Sequence, residues 1–450
     1  MMSMTLKTWT RLLLCVFIFA CMLVQLGCTS KQAFPVANPD GDNNQTNLVS
    51  HSETSEGHKD DGIETGGVQT VNVIETSEVH TVIKASEVRI HEASETSVGA
   101  TVGHAPVIAE SSSAILMFTG DLMCLSGQQF ASRTNGEFDF TPSFSYVSEI
   151  LQGADLVVGN LETLISPSSP YTYKMKLKDN LPNCNSMESY LKALVYAGFH
   201  AVVTANNHSL DWNMIGITET LDKLDEYQLL HTGTFAGEEG QPFILYEVNG
   251  IKVAILSYTE LINGRGLLSA KQLEVHISCY SKEKVIGDVQ KAKHSGADYI
   301  VAYNHWGAEN THEITKLQEQ HAVEMAEAGV DLIIGSHPHC IQKAAYITTS
   351  DGRQVLCVYS MGNFLSSMAK DINNDTIVLE VNLHKVKDNV FSGAIGYYPM
   401  RVMSTYEKNH HVILPISSRF YGNSQVEKIL EQARVRIRKV MGNEISEIRY

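Results

Sequence analysis

Short apolar runs alternate with amphipathic stretches over residues 114–366, and this alternation is the clearest regularity in the chain. Ile115-Leu116-Met117-Phe118 has the composition of a buried strand, and residues 154–158, 201–203, 298–303, 330–334 and 355–359 continue the series. Between them, residues 144–151, 187–197, 215–227, 282–294 and 315–328 carry apolar side chains at helical spacing. Gly198 and Gly329 stand where two of these helices should stop, because glycine accepts the left-handed conformation of a helix C-terminus. Residues 243–248 and 252–258 flank Asn249-Gly250, which predicts a hairpin with a two-residue turn. Strands alternating with helices predict an α/β domain with largely parallel strands.

The strand-like runs close on chemically capable residues. Asp121, Asn160, His208, His305, His337 and Asn363 follow six of them in order. Ligands of open α/β sheets bind at the carboxyl ends of the strands, so these six should gather at one edge. The densest stretch is Ala205-Asn206-Asn207-His208-Ser209-Leu210-Asp211. Imidazoles and carboxylates are the usual ligands of zinc, manganese or iron. In His337-Pro338-His339 an extended backbone would put both rings on one side, stiffened by Pro338. A divalent metal held there could polarise a phosphoryl oxygen and activate water. Asn207 could orient a phosphate oxygen or a metal, and His208 could serve as a general acid. The competing reading is a polar rim of satisfied loop residues.

Past residue 366 the pattern thins. Residues 376–384 and 393–401 alternate like strands, and 425–441 form a basic helix whose Arg434, Arg436, Arg438 and Lys439 are expected on a solvated face. Lys174, Lys176 and Lys178 read either as an edge strand guarded by lysines or as a strip for an anionic polymer.

The N-terminus changes the picture. Lys7 and Arg11 precede an apolar run over residues 12–26, as in an export signal. The run is shorter than the roughly 20 residues a membrane span requires. It closes on Leu26-Gly27-Cys28, a small residue before a cysteine, as at a bacterial lipoprotein cleavage site. A lipid anchor on Cys28 and an uncleaved signal anchor both remain open, and both put the rest of the chain outside the cytoplasmic membrane. Residues 29–113 are rich in Ser, Thr, Glu, Gly and Asn, and Glu-Thr-Ser-Glu occurs at 53–56 and again at 75–78. Such a segment buries too little apolar surface to offset its ordering entropy, so a disordered tether is expected. The expected organisation is an anchor at 1–28, a linker at 29–113, a folded domain at 114–385 and a C-terminal extension at 386–450.

Charge and cysteines exclude some functions. The 450 residues hold 34 Lys and Arg against 50 Asp and Glu, a formal charge of -16, which argues against a broad nucleic-acid surface. The eight cysteines form no CxxC pair, so neither a zinc ribbon nor a disulfide framework is indicated.

Six motifs carry a family resemblance: Gly120-Asp121-Leu122-Met123, Gly159-Asn160-Leu161-Glu162, the Ala205–Asp211 stretch, His305-Trp306-Gly307-Ala308-Glu309, Gly335-Ser336-His337-Pro338-His339 and Ser360-Met361-Gly362-Asn363-Phe364. In this order they resemble the motifs of the CapA-type poly-γ-glutamate capsule biosynthesis proteins, similar in fold to calcineurin-like metallophosphoesterases. The resemblance implies a four-layer α/β/β/α sandwich around one or two divalent ions (Mn, Zn or Fe). It implies metal ligands at Asp121, Asn160, Glu162, Asn207, His305, His337 and His339, and catalytic roles for His208, Asn207 and Asp211. Two positions depart from the phosphoesterase pattern: Met123 replaces a histidine, and Asn160 replaces a bridging aspartate, with Glu162 as a nearby substitute. The implied function is synthesis, export or anchoring of poly-γ-glutamate at the bacterial cell membrane. The folded domain would lie on the extracytoplasmic side, and the partners would be the anionic polymer and membrane capsule-synthesis subunits. Two alternatives stay open: an exported metal-dependent phosphodiesterase or phosphatase unrelated to capsule, and an inactive scaffold that binds polymer.

Overall fold

The computed structural model describes residues 111–174, 183–237, 241–407, 410–417 and 423–450. The expected anchor, nearly all of the expected tether, and Lys176 and Lys178 lie outside the described residues. In chain order the principal strands are β1 (Ser111–Leu122), β2 (Leu156–Leu161), β3 (Ala201–Val203), β4 (Leu230–Thr232), β5 (Phe243–Val248), β6 (Ile251–Thr259), β7 (Tyr299–His305) and β8 (Leu332–Ser336). They continue with β9 (Ile341–Thr348), β10 (Gln354–Met361), β11 (Asn363–Leu365), β12 (Asp375–Val386), β13 (Asn389–Glu407), β14 (His410–Pro415) and β15 (Ser446–Glu447).

The strands form two large sheets. The first runs β14-β13-β12-β1-β2-β3-β4, with β11 also on β1 and β15 on β13. The second runs β9-β10-β8-β7-β6-β5. Parallel pairing joins β1-β2-β3-β4 in the first sheet and β6-β7-β8-β10 in the second. The strands β12, β13, β14, β5 and β9 pair antiparallel in the order given, so the expectation of largely parallel strands holds for the β1–β4 half of the first sheet and the middle of the second.

Alternation along each strand sorts the side chains into layers. Leu116 and Phe118 of β1 share one apolar cluster with Val158, Val253, Ile255, Val301, Leu332 and Val358, which lie between the two sheets. The intervening Met117, with Val157 and Val202, packs outward on Tyr190, Leu194, Ile217 and Leu221 of the helices Ser189–Ala197 and Asn213–Glu226. On the far side, Ala254, Leu256, Ala302 and Ile333 pack on Val285, Val289, Ala322 and Met325 of the helices Lys282–His294 and Lys316–Ala328. Helix, sheet, sheet, helix is the four-layer sandwich expected from the resemblance. A hydrogen bond from the buried Tyr303 hydroxyl to the Val158 carbonyl (3.1 Å) ties the sheets across the core.

Local signals behave as their chemistry requires. Gly198 (φ 101°) and Gly329 (φ 107°) close their helices in the left-handed region. Thr315 caps Lys316–Ala328 through a capping box with Gln318.

Four expectations are corrected. The boundary at 385 does not exist, because β12 and β13 pair from Asp375↔Arg401 to Val386↔Asn389. The helix Ser424–Met441 also sets Val426, Leu430, Ala433, Ile437 and Met441 into the core between the sheets. Its basic face is only partly solvated: Arg434 and Arg436 are half-buried against Glu447 and Asp375, while Arg438, also on Glu447, and Lys439 are exposed. The tether ends three residues early, since Ser111–Ser113 already pair with Val386–His384. Lys174 ends a 3-10 turn, not an edge strand, and its ammonium lies 5.6 Å from the Tyr171 and Tyr173 ring centroids.

Candidate metal centre

The parallel strands of both sheets deliver their carboxyl ends to one place. Asp121 closes β1 beside Asn160 of β2 and Asn363 of β11, while His305 closes β7 beside Ser336, the last residue of β8. Close backbone approach makes this edge possible. A Cβ on Gly120 would sit 1.9 Å from the Gly362 carbonyl oxygen, and one on Gly335 would sit 1.9 Å from that of Tyr359. Only glycine fits at such contacts.

His337 and His339 overturn the expectation of an extended His-Pro-His segment. Both adopt positive φ, 94° and 56°, on either side of Pro338. Non-glycine residues in the left-handed region cost on the order of 1–3 kcal/mol each and persist where the surroundings impose them. The bend still brings the two rings together, with centroids 5.8 Å apart.

The predicted residues converge. His305 Nε2 lies 3.1 Å from Asn207 Oδ1 and 3.1 Å from His337 Nδ1. His305 Nδ1 lies 2.9 Å from the Ser336 hydroxyl. His339 Nδ1 lies 2.9 Å from Asn363 Oδ1 and 3.5 Å from Asp121 Oδ2. The His337 amide donates to Asp121 Oδ2 at 3.3 Å. Asp121, Asn160, Glu162, His305, His337 and His339 are all buried. Three groups have potential ligand atoms mutually within 4.8 Å: Asp121, Glu162 and His339; Glu162, His305 and His337; and Glu309, His337 and His339.

Glu162 is the telling residue. It belongs to two of these groups, and neither carboxylate oxygen has a hydrogen-bond partner among the described residues. His305 Nε2 and His339 Nε2 each stand 3.8 Å from its Oε1. A buried carboxylate left bare costs several kcal/mol, and a bound cation removes that cost. The donor set therefore fits a divalent ion. Burial, followed by the Asp121 charge, pushes the Glu162 carboxyl well above its usual range. Burial opposes protonation of His339, but Glu162 and Asp121 outweigh it and lift the imidazole to about 9. Without a cation, one proton between Glu162 and His339 answers both tendencies. Burial and the neighbouring imidazoles hold His305 well below its ordinary value and His337 at about 3. Those two rings are neutral at physiological pH, the form a metal requires.

Asn160, expected as a ligand, is engaged in hydrogen bonds with its neighbours. Its Oδ1 accepts from Asn206 Nδ2 (3.1 Å), and its Nδ2 donates to Asp121 Oδ1 (2.8 Å). It braces Asp121, and Glu162 offers the free oxygens. Asp211 lies behind His208, with Oδ2 2.6 Å from His208 Nδ1. That contact orients the imidazole.

Two nearby residues carry no signal that the strand-end pattern exposes. Glu309 follows His305 by four residues in a motif whose histidine draws attention first. Cys184, on a patternless loop, groups with His208 and Asp211. Burial raises its thiol well above the usual range, so it is no ready nucleophile.

A family model described as bacterial capsule synthesis protein PGA_cap matches residues 115–368. The PGA biosynthesis protein CapA of Bacillus subtilis (strain 168) is 28% identical over 272 residues, which cover 60% of this chain and 67% of that protein. The capsule biosynthesis protein CapA of Bacillus anthracis is 29% identical over 244 residues, 53% of this chain and 57% of that one. The chain thus spans about two thirds of one relative and just over half of the other. Among solved structures, the calcineurin-like phosphoesterase YfkN from Bacillus subtilis aligns with a TM-score of 0.42 at 15% identity, over 73% of this chain and 98% of that one. The layering stands on the strand order and the apolar clusters described above.

Proposed function

Since the chain belongs to the bacterial capsule synthesis protein family PGA_cap, we propose that it serves the synthesis, export or anchoring of poly-γ-glutamate through a centre that binds one or two divalent cations. The observation that carries this reading is the bare, buried carboxylate of Glu162 among imidazoles. Asp121, Glu162 and His339 would hold one ion, and Glu162, His305 and His337 a second. A bound divalent ion supplies Lewis acidity toward a phosphoryl or carbonyl oxygen.

The chain's own groups do the rest. Asn207 carries its side-chain oxygen beside His305 Nε2, where it orients that ring or a ligand oxygen. His208, braced by Asp211, exchanges a proton with the reacting group through Nε2. Asn160 and Asn206 keep Asp121 in place. On the N-terminal pattern, the protein is anchored at the cell membrane with this domain outside the cytoplasm, where it meets the anionic polymer and membrane subunits of the capsule machinery.

A second reading has specific support. Asn160 is committed to protein hydrogen bonds and Met123 replaces a histidine, which favours a scaffold that grips polymer without hydrolysing it. The test begins with metal analysis by mass spectrometry of the purified chain. Bound Mn, Zn or Fe in the native protein, lost in Glu162→Gln, is the expected result. Full occupancy in that variant would refute the centre. Chelator-sensitive hydrolysis of an aryl phosphodiester then marks a hydrolase, and polymer binding that survives the chelator marks a scaffold.

A further inference from the structure

Three protein ligands are few for either candidate ion, because divalent metals in proteins take four to six or more. The centre therefore calls for another donor. The turn after β7 supplies one. Gly307 adopts φ 85° and Asn310 φ 61°, and the Asn310 amide donates to the Pro338 carbonyl at 2.8 Å. This bond ties the turn to the segment bearing both histidines. Between the two anchor points stands Glu309, whose carboxylate lies within 4.8 Å of ligand nitrogens of His337 and His339. It is the exposed member of its group, whereas both imidazoles are buried.

We infer that Glu309 is a further ligand of the centre, supplying a carboxylate from the solvent side beside His337 and His339. This rests on the reading that the site holds a cation. His339 belongs both to this group and to the group with Asp121 and Glu162, and His337 both to this group and to the group with Glu162 and His305, so the added carboxylate stands where the two positions meet and enriches the centre in oxygen donors. Carboxylate-rich positions suit manganese, whereas imidazole suits zinc or iron. The position at Glu162, His305 and His337 is the more nitrogen-rich of the two. Because Glu309 is exposed, its loss leaves the core intact, and a neutral amide of the same shape isolates the donor.

The experiment titrates the purified full chain with Mn2+, read from the paramagnetic resonance signal of the free ion, and with Co2+, read from its visible absorption. Native protein, Glu309→Gln, Glu162→Gln and Glu313→Gln are compared, with thermal unfolding as a check on folding. Glu313 is an exposed acid farther along the same loop, outside every ligand group. Glu309→Gln should bind Mn2+ at least about tenfold more weakly, the lower range for disturbing a metal's surroundings. Its Co2+ spectrum should change, and Glu313→Gln should match the native protein. A native titration in Glu309→Gln overturns the inference. So does weakened binding with an unaltered Co2+ spectrum, which would mean that the charge acts only through space. If the native chain takes up no metal, or Glu162→Gln binds as well as native, the cation reading itself fails. Loss in Glu162→Gln with native behaviour in Glu309→Gln removes Glu309 alone.

Discussion

Asp375 and Glu162 are both sealed from solvent, yet the fold treats them in opposite ways. Asp375, at the start of β12, is gripped by the guanidinium groups of Arg401 and Arg436, the second through Nε at 2.7 Å. Glu162, just past β2, has no hydrogen-bond partner on either oxygen among the described residues. The protein thus has the means to neutralise a buried acid with its own cations and does so at Asp375. At Glu162 it supplies imidazoles, two of them held neutral by burial and by each other. A carboxylate left without hydrogen bonds beside metal-type donors is the kind of place an outside cation fits. The contrast separates an ion pair that stabilises the fold from a cluster that spends stability on function.

The largest effect should come from breaking the closed ion pair. Asp375→Asn takes the buried carboxylate from two guanidinium groups, one of them on the buried Arg401, leaves them only the exposed Asp371, and should cost about 3–5 kcal/mol in urea unfolding. A cost below about 1 kcal/mol would erase the distinction between the two acids. Next, chelation should destabilise the metal-loaded native protein by about 2.7 kcal/mol when free metal stands at a hundred times the dissociation constant. Glu162→Gln should show no such chelator response, and removal of its bare charge should leave the metal-free fold as stable as before or more so. A loss of stability comparable to that of Asp375→Asn would mean that Glu162 is a structural acid after all.

A third effect is set by pH. His339 titrates at about 9 without metal, so near pH 7 its imidazole carries a proton, and ligation must expel it. Calorimetry in buffers of different ionisation heat should register release of about one proton per ion, with affinity rising as pH climbs toward 9. Uptake of protons, or affinity indifferent to pH over that window, would remove His339 from the ligand set. The smallest effect belongs to the rim of the closed network. Arg438 is half exposed where it meets Glu447, so Arg438→Gln should cost no more than about 1 kcal/mol.

The site was legible to the extent that strand ends are legible. Asp121, His305 and His337 stand at ends of parallel strands, where backbone geometry alone predicts a binding edge, and all three meet there. Three things were not legible. The roles of Asn160 and Glu162 depend on which atoms already have partners, and residue type does not reveal that. The left-handed turns at His337 and His339 oppose local preference and exist because neighbouring strands impose them. The place of the Ser424–Met441 helix in the core was hidden because its arginines suggest solvent until Glu447 and Asp375 are seen opposite them.

Local periodicity and turn chemistry, written in the sequence, determined where the helices and parallel strands lie and where the Asn249-Gly250 hairpin turns. They reflect interactions between residues a few positions apart, so no partner elsewhere is needed to read them. Only the tertiary structure decided that two sheets face each other, that the last sixty residues complete them, and that one glutamate is left bare among imidazoles. Those outcomes are sums over contacts between distant segments, and the balance of charge and hydrogen bonding at a buried atom exists only once those segments have met.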